Sequence, residues 1–117
     1  MKPISMEESI QQYKSAVAHK KEIYEQYTNC NDEVTFNKRK ESLRRVHDAT
    51  VAYSKLYHGP HYDELERLYK DAIHNLVTAN NSVKDNHPTE IERETLYQLF
   101  IAKHNAEQNL YGCVNQL

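Results

Sequence analysis

Residues 53–65 read Tyr-Ser-Lys-Leu-Tyr-His-Gly-Pro-His-Tyr-Asp-Glu-Leu, and the Gly59-Pro60 step at their centre decides the architecture. Glycine closes a helix because it takes left-handed angles at no steric cost. Proline opens one, because the amide it lacks has no partner in a first turn. Asp63 and Glu64 follow, where the positive end of a helix dipole favours carboxylates. The chain therefore passes from one helix almost directly into another.

Upstream, Ser5 and Glu8 have the spacing of a capping box. Ile10, Tyr13, Val17, Tyr24 and Tyr27 then recur three or four apart, interrupted by Lys20. A second apolar series runs through Phe36, Leu43, Val46, Thr50, Tyr53 and Tyr57. It does not continue the first: a heptad frame extended from Tyr24 predicts core positions at 31 and 38, not 36. That slip predicts a turn within residues 29–35. The alternative is a long helical hairpin in which residues 6–57 form one helix.

Downstream, Tyr62, Leu65, Tyr69, Ala72, Leu76, Ala79 and Val83 mark a third helix, which Pro88 stops. Thr89 and Glu92 form a second capping box, and Leu96, Leu99, Ala106, Leu110 and Cys113 carry the fourth seam. Four helices of roughly 25 residues, each ~37 Å long, joined by short connections, predict an all-α, antiparallel up-down four-helix bundle. Residues 1–117 make a single helical-bundle domain on this basis.

Composition narrows the function by exclusion. Two Gly and three Pro in 117 residues disfavour tight hairpins and phosphate-cradling loops. A net charge of −2 gives no general attraction to nucleic acid or membranes. No apolar run approaches the ~20 residues of a spanning helix, and the first eight residues carry no apolar signal core. The expectation is a cytoplasmic protein. Cys30 and Cys113 fall at opposite ends of the expected bundle, so both are expected to be reduced thiols. Hydrophobic residues make up 38%, and nine of them are Tyr, which favour a wet hydroxyl. So lean a core favours a permanent partner or self-association.

Few constellations carry chemistry. No nucleophile elbow surrounds a serine or cysteine, and the paired carboxylates are accounted for by helix starts, so no enzyme is expected. His19, His47, His74 and His104 reach similar heights but point away from the seams, so no core metal site and no cofactor are expected. His58, His61 and Asp63 are the remaining metal candidates. A turn with a charge at each helix end is the favoured reading of the three, and a metal-binding or enzymatic bundle built on them is the second alternative function.

Residues 34–58 hold six cations against two acids, a local charge of +4. A nucleic-acid site through Lys38, Arg44 and Arg45 is therefore the first alternative function. Against it, Glu41 and Asp48 stand four residues from Arg45 and Arg44, the spacing of helical ion pairs. Arg39 falls on the seam and is expected to snorkel. Tyr13, Tyr53, Tyr57, Tyr62, Tyr69 and Tyr111 map to one end of the expected bundle, as core wedges with hydroxyls reaching solvent.

The fourth helix carries the principal functional expectation. Residues 95–117 contain only two formal charges, Lys103 and Glu107. Beside its seam runs a second stripe: Tyr97, Phe100, Ile101, His104, Gln108 and Tyr111, with Ile101 outermost. Uncharged aromatic and aliphatic side chains on an outer face resemble an interface core. The expectation is a non-enzymatic protein–protein interaction module, of adaptor, inhibitor, immunity or assembly type. It would bind another protein or itself through that stripe, with nucleic acid disfavoured.

Overall fold

A computed structural model of the chain describes residues 4–28, 32–83 and 87–117. Four α-helices account for most of them: α1 (Met6–Gln26), α2 (Glu33–His58), α3 (Tyr62–Asn81) and α4 (Glu90–Tyr111). Short 3-10 turns follow α2 (Gly59–His61) and α4 (Gly112–Gln116). Among the described residues there is no strand, and no helix is long and apolar enough to cross a membrane.

Local chemistry sets the helix ends. The Glu8 amide donates to the Ser5 hydroxyl, so the first half of the expected capping box forms. At α4 both halves form: Glu92 N–H donates to Thr89 Oγ1, and Thr89 N–H donates to the Glu92 carboxylate, each at 3.1 Å. Asp32 caps α2 by accepting from Thr35 N–H at 2.7 Å, and that bond holds its carboxyl below the usual range. Gly59 ends α2 at φ 57, donating its amide to the Lys55 carbonyl. α3 ends at Asn81, two residues before the expected Val83, and α4 gives way to a 3-10 turn before Cys113. Cys113 is a buried thiol outside any disulfide; Cys30 lies outside the described residues.

The helices pack in pairs, α1 on α2 and α3 on α4. Residues 6–57 are thus two helices folded back on each other, not one. The chain divides into two compact units, Met1–Gly59 with Val114–Leu117, and Pro60–Cys113.

In the first hairpin the seam differs from the one the apolar series suggests. The buried positions are Ser9 and Ala16 on α1, and Thr35, Ser42, Ala49, Tyr53 and Ser54 on α2. Val17, Tyr24, Phe36, Leu43 and Tyr57, expected in the seam, are exposed instead. The reason is geometric. Small residues recur seven apart at 9 and 16, and again at 35, 42 and 49, so the two backbones approach closely along that line. Larger apolar residues one position further round each helix are pushed to the flank. Ile10, Tyr13, Tyr27, Val46 and Thr50 remain half-buried at its edge.

The second hairpin follows its apolar series. Tyr62 is buried, Leu65, Tyr69, Ala72, Leu76 and Ala79 are half-buried along α3, and Val83 is half-buried just beyond its end. On α4, Leu96, Leu99 and Ala106 are half-buried, and Leu110 is fully buried, with Cys113 buried just beyond the helix. At one end Tyr111 lies edge-on to Tyr69, with ring centroids 5.9 Å apart. The Tyr62 hydroxyl sits beside Tyr111 and Glu66, and burial together with those neighbours raises it well above the ordinary tyrosine range.

Candidate functional site

The stripe on α4 is positioned by that seam. With Leu96, Leu99, Ala106 and Leu110 turned inward, helical periodicity carries Tyr97, Phe100, His104 and Gln108 to the other side. All four are exposed, Tyr97 by 59% and Phe100 by 54%. The Lys103 ammonium lies 5.9 Å from the Phe100 ring centroid, at the outer limit of a cation–π contact. Ile101 is half-buried, not outermost. Tyr111 is also half-buried and belongs to the aromatic cluster inside the hairpin. The continuous exposed part is therefore Tyr97, Phe100, His104 and Gln108.

On the opposite flank of the same hairpin, α3 and α4 enclose an open groove of about 370 Å³. Leu65, Leu68, Ala72, Leu99, Ala102 and Ala106 line its floor, with Asn75, Asn105 and Asn109 also contributing.

The cations of α2 are largely engaged. Lys38 Nζ donates to the Tyr27 hydroxyl and lies 4.5 Å from that ring's centroid. Arg39 is half-buried at the seam, where its guanidinium donates to the Tyr27 carbonyl. Arg44 stands 3.9 Å from Glu41 and 4.0 Å from Asp48. Glu41 thus pairs with Arg44 rather than the expected Arg45. These pairs are solvated and contribute little to stability. Arg45 lines a groove of about 530 Å³ with Asp48, Gln11, Gln12 and Ser15. Lys38, Arg44 and Arg45 thus do not form a clean cationic face.

His58 ends α2, His61 lies in the following 3-10 turn, and Asp63 sits in the first turn of α3. Among the described residues no group of three or more His, Cys, Asp or Glu side chains is placed to hold a metal ion.

One apolar surface has the spacing of a seam without being one. Val17, Tyr24, Phe36, Leu43 and Tyr57 form an open apolar flank on the first hairpin. The small residues repeating every seven positions at 35, 42 and 49 are the signal that separates seam from flank. Comparison with protein-family models, with curated proteins and with solved structures yields no match for this chain.

Proposed function

We propose that this chain is a non-enzymatic protein–protein interaction module of adaptor, inhibitor, immunity or assembly type. It binds its partner through the α4 stripe. The observation that carries this is the exposure of Tyr97 and Phe100 on a helix whose seam is already filled by Leu96, Leu99, Ala106 and Leu110. Two aromatic rings in water on a rigid helix, bordered by His104 and Gln108, supply the anchor and polar rim from which interface hot spots are made. The up-down four-helix bundle enters the proposal as an assembly, with the two hairpins as its halves. A two-helix hairpin covers only the strip between its helices, so flanking apolar residues require a further layer. A cytoplasmic setting, whose reducing conditions suit the Cys113 thiol, completes the proposal. A nucleic-acid role has less support, because Lys38 and Arg44 already have partners on the hairpin itself.

The test is co-purification from native extract with identification by mass spectrometry. Wild type is compared with the Tyr97→Ala/Phe100→Ala variant, both checked for helicity. A protein retained by wild type and lost from the variant is expected. Identical captures from the two would refute the stripe as the binding surface.

A further inference from the structure

The α3–α4 groove is floored by alanine and leucine and edged by amides. Asn75 on α3 and Asn105 and Asn109 on α4 are exposed, and their side chains have no hydrogen-bond partner among the described residues. Asparagine is a poor choice for an exposed helical position, because its amide competes with the backbone's own bonds. Lysine or glutamate would serve stability better there. All three asparagines nevertheless line the groove. The lining contains no lysine, arginine or histidine, and its single acid, Asp71, is paired with Arg67 at 3.0 Å. The groove therefore presents apolar surface and neutral amides, with no unpaired charge.

We infer that this groove binds an extended, uncharged peptide segment of a partner protein, through hydrogen bonds between the asparagine amides and the peptide backbone. A primary amide carries both donors and an acceptor, the same groups that a peptide unit offers. The spacing agrees. Asn105 and Asn109 are four residues apart on α4, so ~6 Å along its axis. In an extended chain, backbone groups on one edge recur every second residue, at ~6.6 Å. Asn75 lines the groove from α3 and meets the opposite edge of the peptide. A helix docked here would offer the asparagines nothing, because its own amides and carbonyls are bonded internally. A nucleic acid or other phosphate ligand needs cations, which the lining lacks. Ala72, Ala102 and Ala106 project only a methyl group, so a chain can approach the floor. Leu65, Leu68 and Leu99 receive its alternate side chains there. The site lies on the flank opposite Tyr97 and Phe100 and does not depend on the proposed α4 surface.

Selection of a random displayed-peptide library on the full chain tests it. The recovered sequences are expected to be uncharged, with apolar residues at alternate positions. A selected peptide, synthesised with blocked ends, is then titrated by fluorescence anisotropy. Asn105→Ala/Asn109→Ala should weaken its binding by about tenfold or more, with helicity kept or raised because alanine favours a helix. N-methylation of alternate backbone amides in the peptide should weaken it comparably, which binding through side chains alone would not show. Tyr97→Ala should leave the affinity within about twofold. If the double variant loses helicity, Asn75→Ala replaces it as the deciding variant. A library that yields no binder overturns the inference, as do selected peptides that are strongly charged or carry apolar residues at helical spacing. Binding indifferent to the asparagine variant or to N-methylation overturns it too. A peptide lost in Tyr97→Ala but kept in the asparagine variant also overturns it, while leaving the α4 surface in place.

Discussion

Arg39 on α2 donates from its guanidinium to the backbone carbonyl of Tyr27 at 2.5 Å, closing the end of α1 from outside that helix. Tyr27 caps the C-terminal end of α1, where orphan acceptors and the negative dipole end both attract a cation. The same guanidinium lies 5.4 Å from the Tyr24 ring centroid. A charged residue half-buried between two helices is thereby held to a specific register, because sliding α2 by one turn would strand it.

Replacing Arg39 should therefore cost more than removing an ordinary surface cation. Arg39→Ala is expected to destabilise by about 1–2 kcal/mol, through a lost charge-assisted bond and an exposed helix end. Arg44→Ala, whose partners are solvated, should fall within about 0.5 kcal/mol of wild type. Urea denaturation of both variants separates the two cases. Equal losses would show that the Tyr27 contact has no special weight.

The small-residue seam gives a second contrast. Ala16 is 1% exposed and its neighbour Val17 39%. Ala16→Leu should push the two helices apart and cost about 1–3 kcal/mol, whereas Val17→Leu should be nearly neutral. Ser9 has a buried hydroxyl without a hydrogen-bond partner, so Ser9→Ala is expected to be neutral or stabilising by up to about 1 kcal/mol. Thermal melts of the three variants decide. If Val17→Leu is the damaging change, the seam lies where the apolar series suggested.

That contrast also marks how far the sequence could be read. Helix starts and stops at Ser5, Gly59 and Thr89 were legible because each depends on chemistry within one turn. The α3–α4 seam was legible because its large apolar residues are also its buried ones. The α1–α2 seam was not, because Ser9, Thr35 and Ser42 contribute nothing to a hydrophobic series while fixing where two backbones can meet. At the candidate site, Tyr97 and Phe100 could be placed outside the seam from periodicity alone. The half-burial of Ile101, and the place of Tyr111 beside Tyr69 and Tyr62, depend on tertiary neighbours that a single helix does not encode.

Tyr62 and Tyr69 should titrate late. Burial is the main cause in both, followed for Tyr62 by hydrogen bonding to Glu66 and Tyr111, and for Tyr69 by the charge of Glu107. A tyrosine whose folded value is raised adds stability that is complete below the unfolded value near 10 and is lost as pH climbs toward the folded one. Stability should thus decline from about pH 10 upward, and Tyr62→Phe should make that decline shallower. Phenolate absorbance should show a late-ionising class that holds this pair. Titration of all nine tyrosines in one ordinary step would contradict the cluster.

The exposed aromatics on α4 are proposed to bind a protein partner. Its most direct measurement is the affinity of the captured partner, purified, for wild type and for Tyr97→Ala/Phe100→Ala, by titration calorimetry. A loss of about 2 kcal/mol or more, roughly thirtyfold in the dissociation constant, is expected, with helicity and melting temperature preserved. Undiminished affinity would contradict it, as would a variant that binds weakly only because it has unfolded.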